Sequence, residues 1–284
     1  MNYKYNEIDY AKLIYEQGFQ DKSHMPTELR LAAIYMRRNL GYKPAKLKAE
    51  FYAWCSAHIE NYSRPLHYKA VNKAINQAVK KGSHLICLPF VPVYTTELHY
   101  INNCKITDEN GIIYKNSGLC RKLLFTLMVQ MKINMSLAAQ KGSDSSHSDS
   151  YMCYKGGQRK YNELKKAAKL PQQIRINEDI IHHLYTSGLV TPLFGGLIRL
   201  DFMNDIYKLD ISSQKPAMKV EDFERIGWYF DYYNHEPGML LCSACGKPFR
   251  RKTNRQIYCS DNCAASSNRQ HSRERKQQLK GAVV

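Results

Sequence analysis

Residues 242–263 read CSACGKPFRRKTNRQIYCSDNC. Two cysteine pairs, Cys242-x2-Cys245 and Cys259-x3-Cys263, stand thirteen residues apart. Four thiolates in two close pairs can close a tetrahedron around one Zn²⁺ with no help from the rest of the chain. Gly246, directly after the first pair, permits the tight turn that a cysteine knuckle needs. The stretch KPFRRKTNRQIY is then expected to run out and back as a hairpin. Ser260 or Asp261 can cap a helix that carries Cys263 in its first turn, where the positive helix end favours a thiolate. With four thiolate ligands no position is left for a reacting water, so the expected role is structural. So small a segment buries little apolar surface and should need its metal to fold. Four free thiols in a disordered tail would leave the spacing, the glycine and the cap without a purpose.

The charge around these cysteines is one-sided. Lys247, Arg250, Arg251, Lys252 and Arg255 follow the first pair, and Arg269, Arg273, Arg275, Lys276 and Lys280 follow the second. From Cys242 to Lys280 the acids are Asp261 and Glu274. Arg269, Arg273, Lys276 and Lys280 are spaced to form one stripe on a helix. Such a stripe can lie along a groove and meet phosphates, with Asn268 or Gln270 reaching base edges. Lys247, Arg250, Arg251, Lys252, Arg255, Arg269, Arg273, Lys276 and Lys280 are therefore the candidate nucleic-acid-binding residues. A solvated tail helix is the plainer alternative.

The CxxCGKPF…YCSDNC pattern resembles treble-clef zinc fingers, over about forty residues. That resemblance implies a knuckle, a hairpin and a helix that dock on nucleic acid or protein. The order of a helical N-terminus, CRKLLFTLMV, a winged-helix-like middle, DFERIGWYFDYY and the finger resembles proteins encoded by phages and mobile elements of Gram-positive bacteria. This second resemblance is diffuse and implies no activity.

Composition points the same way. The 284 residues carry 42 Lys and Arg against 25 Asp and Glu, a formal charge of +17 that predicts a polyanionic partner, most simply duplex DNA. A docking partner among host or phage proteins is the alternative. Hydrophobic content of 44% is enough for real cores and excludes wholesale disorder. MNYKYNEIDYAKLIYEQ lacks the apolar core of an export signal. The longest apolar stretch, LICLPFVPVY (85–94), is too short to span a bilayer. A bacterial cytoplasmic setting without membrane attachment is expected. Cys55, Cys87, Cys104, Cys120 and Cys153 are scattered in apolar company and read as reduced and buried.

The fold class expected is mainly α with small β elements, in three parts. Residues 1–112 form an N-terminal helical domain. IDYAKLIYEQGF ends near Gly18, and MPTELRLAAIYMRRNLG has proline and glycine at its two ends. KPAKLKAEFYAWCSAHI puts Leu47, Phe51, Trp54, Cys55 and Ile59 on one face. RPLHYKAVNKAINQAVKKG puts Leu66, Ala70, Ala74, Ile75 and Ala78 on another. SHLICLPFVPVY reads as an edge strand or connector, TTELHYINNC as a helix capped by Thr95 or Thr96, and DENG as a turn.

Residues 113–236 are expected to form a winged-helix-like domain with a mobile loop over 138–157. Its parts are a buried helix over 120–134, helices over 158–169 and 175–187, and a hairpin around Gly195-Gly196. The second of the paired helices offers Glu178 and Asp179 with only Arg175 as a cation, which is poor equipment for reading bases. His182 and His183 are adjacent and cannot face one ligand together. Wing residue Arg199 can touch phosphate. The segment 220–241 reads as an aromatic helix followed by a turn at Pro237-Gly238. Residues 237–284 are the four-cysteine zinc finger with its basic helix.

No phosphate loop, zinc-protease helix or nucleophile elbow occurs, so no enzyme activity is expected. The remaining catalytic alternative rests on a resemblance of the tail to zinc-knuckled HNH-type nucleases. It would use Asn268 and His271 on one helix face, with His235 as the nearest general base.

Overall fold

The computed structural model describes residues 5–140 and 153–281, with the side chains of residues 22, 158 and 276–281 outside that description. The chain is mainly helical with small antiparallel sheets and a C-terminal cysteine cluster. It divides into two compact units, one of residues 1–89 and 133–146, the other of 90–132 and 147–284.

In the first unit α1 (Glu7–Gln17), α2 (Met25–Arg38), α3 (Pro44–His58) and α4 (Arg64–Val79) enclose one apolar core. The face expected of α3 is the face it buries: Leu47, Phe51, Trp54, Cys55 and Ile59 are all in the core. The face expected of α4 is corrected. Val71, Ala74, Ile75 and Ala78 are buried, while Leu66 is 81% exposed and Ala70 is exposed. Every buried residue of α4 lies from Val71 onward, and its first turn keeps to the surface, where Arg64 covers the Tyr52 ring.

Two buried acids organise this unit. Glu28 accepts hydrogen bonds from Tyr10 Oη and from the N–H groups of Gln20 (2.9 Å) and Asp21 (3.1 Å). Glu7 accepts from Arg30 (2.8 Å) and from the N–H of Ile86 (3.0 Å). Buried carboxylates keep their cost low only when saturated with donors in this way.

The second unit contains α5 (Thr95–Asn103) and most of α6 (Ser117–Gln140). The expected apolar core of α6 is buried on most sides, from Cys120 through Met131. The cap of α5 is Tyr94, whose N–H donates to Glu97 at 2.9 Å, and neither threonine takes that place. The extended segment after Leu88 becomes β1 (Val91–Val93), antiparallel to β5 (Met218–Val220).

A second sheet joins β2 (Cys153–Lys155), β3 (Thr191–Leu193) and β4 (Leu197–Arg199) in the order β2-β4-β3, all antiparallel. The hairpin at Gly195-Gly196 is present, with both glycines at positive φ. Between β2 and β3 lie α7 (Gln158–Ala168), a π-turn (Ile176–Ile181) and α8 (His182–Thr186).

Regular structure takes up both ends of the loop expected over 138–157. Helix α6 continues to Gln140, and Cys153–Lys155 pairs with β4. Residues 141–152, which include the serine run, lie outside the described residues. The aromatic helix expected over 220–241 is also shorter. After α9 (Phe202–Lys208), Val220 ends β5, α10 is Ile226–Tyr233, and Met239–Leu241 is β6. No helix among the described residues is long and apolar enough to cross a membrane.

Candidate metal centre

Strands β6 (Met239–Leu241) and β7 (Pro248–Arg250) form an antiparallel hairpin whose turn is the first cysteine pair. This corrects the expected hairpin, since Pro248–Arg250 is a return strand and its partner lies upstream of Cys242. The turn is closed by the Gly246 N–H donating to Cys242 O (2.8 Å) and the Cys242 N–H donating to Lys247 O (3.0 Å). Gly246 sits at φ 70°, in the left-handed region where a side chain would strain it. The knuckle makes the reversal itself, so no second hairpin is needed.

The chain returns through an irregular segment that lays Ile257 beside the knuckle, where its carbonyl accepts from the Ser243 N–H at 3.1 Å. Helix α11 (Asp261–Gly281) then begins. Ser260 provides the cap: its Oγ accepts from the Cys263 N–H at 3.3 Å, which places Cys263 in the first turn. Tyr258 Oη reaches Ser267 Oγ at 3.0 Å and holds the helix against the loop.

The result is a cluster of four thiols whose Sγ atoms all lie within 4.8 Å of one another and which can hold a metal ion. Cys245 and Cys259 are 3.7 Å apart, and Cys259 and Cys263 3.5 Å. All four predicted ligands are brought together. Among the described residues they are the one such cluster of His, Cys, Asp or Glu side chains.

The electrostatics of the cluster suit a cation. Burial opposes the Cys242 thiolate, yet the N–H groups of Cys259, Cys245 and Ala244 outweigh it and bring the thiol down to about 6. Burial raises Cys245. Burial and then the neighbouring thiols Cys263, Cys242 and Cys245 push Cys259 up to about 12. Four thiolates this close repel one another, and a divalent cation among them removes that repulsion.

The basic residues fall into three groups. Arg251, Lys252 and Arg255 on the return loop and Arg269 and Arg273 on α11 are exposed, and none forms an ion pair among the described residues. Lys247 is half-buried beside the knuckle. Arg250 stands apart: its Nη2 lies 3.6 Å from Asp231 Oδ2, the same oxygen that accepts from Lys122 Nζ at 2.6 Å. The side chains of Lys276 and Lys280 lie outside the described residues, though the helix that carries them runs through Gly281.

Sequence reading missed Asp231. Its one signal was an acid inside the aromatic run WYFDYY. His235 lies in the turn after α10 at φ 55°, and His271 is exposed on α11. Of the paired histidines, His182 reaches Glu109 (3.1 Å) and His183 stacks on Tyr114 with ring centroids 3.6 Å apart. Arg199, on the central strand of the three-stranded sheet, is held by Asp201 (2.5 Å). Protein-family models, curated proteins and solved structures offer no match to this chain.

Proposed function

We propose that the protein is a zinc-dependent nucleic-acid-binding protein, most simply a duplex-DNA-binding regulator or a replication or transcription accessory factor. The observation that carries this reading is the juxtaposition of the four-thiol cluster with unpaired exposed cations on the same small module. A zinc–thiolate bond of about 2.3 Å gives a tetrahedron with S···S edges of about 3.8 Å. The 3.5 Å and 3.7 Å separations at Cys259 fit that figure. All-thiolate donors select zinc over the oxygen-preferring metals. In this reading the module is a treble-clef-like finger, residues 237–284, and the metal holds two basic segments in fixed register against the phosphate backbone.

Residues 113–236 are read as winged-helix-like, after a helical domain over 1–112. Supporting this are the order α6, β2, α7, α8, β3, β4 and the central place of β4 in its sheet. The phage or mobile-element setting, in a bacterial cytoplasm, rests on resemblance alone.

A second reading is favoured by one feature of the same module. Leu241 and Ile257 are half exposed on it, and apolar surface of this kind suits docking on a host protein or a nucleoprotein complex.

The test is duplex binding against salt concentration. Charge substitution is preferable to truncation, because β6 and β7 pack on α10 and their removal would uncover its aromatic side chains. Replacing Arg251, Lys252 and Arg255 with Glu should weaken binding. It should also flatten the plot of log affinity against log salt by about 0.9 for each phosphate no longer neutralised. Binding that is unchanged in both respects assigns the phosphates to the rest of the chain. Absence of duplex binding by the native protein leaves the docking reading.

A further inference from the structure

The tip of the β3–β4 hairpin carries Phe194, whose ring is fully exposed at 102%. Leu193 beside it is 37% exposed. An aromatic ring of about 150–250 Å² held wholly in water is costly, and exposed apolar surface of this kind marks a contact site. The ring is not exposed through slackness of the chain. Gly195 and Gly196, at φ 75° and 74°, make a sharp turn that points Phe194 outward. Ile198 and Leu200 anchor the hairpin in the core below.

From behind, the segment leaving β2 braces the tip. The Gly156 N–H donates to Gly196 O at 2.7 Å. A Cβ at Gly156 would meet Tyr161 Oη at 2.5 Å and Gly196 O at 2.8 Å, so only glycine permits this approach.

The surroundings of the tip are cationic. Lys155, in register with Leu197, is exposed. Two residues past Gly156, α7 opens, and it carries the exposed Arg159 and Lys160, which share the single carboxylate of Glu163 (3.3 and 2.9 Å) and so keep a net positive charge. A rigid apolar wedge among cations is complementary to a polyanion with stacked apolar faces inside it. A lipid surface can match the cations but offers no stacked planar faces between which a single ring can enter.

We infer that Phe194 is an intercalating wedge, which enters between base pairs of duplex DNA while Lys155, Arg159 and Lys160 meet the flanking phosphates. This deepens the nucleic-acid reading above and rests on it. Apolar side chains inserted at a base step unstack and kink the duplex, most readily at pyrimidine–purine steps. Phe194 has no hydrogen-bonding group, so the wedge reads deformability and not base edges. That agrees with the scarcity of base-reading side chains on the π-turn and α8.

The experiment uses the zinc-loaded full chain and a short mixed-sequence duplex with 2-aminopurine at its TA steps. Wild-type binding should raise 2-aminopurine fluorescence. Phe194→Ala should bind about tenfold more weakly, keep the wild-type salt slope and leave the fluorescence flat, and Phe194→Leu should restore most of the signal. The inference is overturned if Phe194→Ala matches wild type in affinity and fluorescence, or if the wild type binds without any fluorescence change. The nucleic-acid reading survives both of those results. If the wild type does not bind the duplex at low salt, both fall together.

Discussion

Asp231 is buried in the second unit with two cations on one oxygen. Burial drives the Lys122 ammonium below its usual range, and Asp231 opposes that shift. Removing only the carboxylate leaves an uncompensated buried charge, so Asp231→Ala should cost about 3–5 kcal/mol in urea unfolding. The paired change Lys122→Met with Asp231→Leu should recover most of the loss. Single and double variants that unfold alike would show that shape, not charge, governs the site.

Cys55 permits a test by pH. Burial pushes its thiol from 9.0 up to about 12. The folded value stands above the unfolded one, so this stabilisation is whole below pH 9 and is lost as pH rises towards 12. The stability gap between wild type and Cys55→Ala should therefore narrow above about pH 9, by up to about 1.4 kcal/mol per pH unit. A gap that stays constant from about pH 8 to about pH 11 would contradict the burial of this thiol.

At the scale of elements, α10 meets α7 with almost no clearance. A Cβ at Gly227 would stand 1.9 Å from Ala168 O. Alanine normally stabilises a helix interior relative to glycine by about 1 kcal/mol. Here the neighbouring atom is backbone and cannot swing away, so Gly227→Ala should lose about 3 kcal/mol, read as a lower urea midpoint. The C-terminal module is a different kind of element, because beyond its hairpin only the thiols and a few hydrogen bonds tie the return loop and helix to the knuckle. One zinc per chain is expected by elemental analysis. Chelation should abolish hydrogen-exchange protection of the Cys242 and Gly246 amides, which close the knuckle turn. Cys259→Ser should do the same. Protection that persists without metal would mean that hairpin packing on α10 suffices.

For the whole molecule the governing quantity is the charge of +17. A solvated excess of that size attracts polyanions over a distance set by salt, with a Debye length of about 8 Å at physiological strength. What turns attraction into binding is a rigid arrangement of cations. In the C-terminal module Arg251, Lys252, Arg255, Arg269 and Arg273 have no acidic partner among the described residues. Elsewhere several cations are tied to acids, as in Lys132 with Glu97 (2.6 Å) and Arg30 with Glu7 (2.8 Å). Affinity that falls with salt should thus map to the module more than to the rest of the chain.

Local chemistry alone determined a good part of this protein. The cysteine spacing, Gly246 and Ser260 specify the two halves of the four-thiol cluster, because within each half they act over about one turn of chain. The 3.6-residue rhythm of α3 names its buried face, because an amphipathic helix has one way to hide its apolar side. Other features depended on partners far along the chain. Leu66 has the rhythm of a core residue, yet burial in α4 begins only at Val71. Cys153–Lys155 carries no strand pattern of its own and is a strand because β4 lies beside it. Asp231 has meaning only through Lys122 and Arg250, and Phe194 only through the Gly156 hydrogen bond that braces its hairpin. A three-residue strand or a single buried acid holds too little local free energy to declare itself. Its state is decided by long-range contacts, which form only when the tertiary structure does.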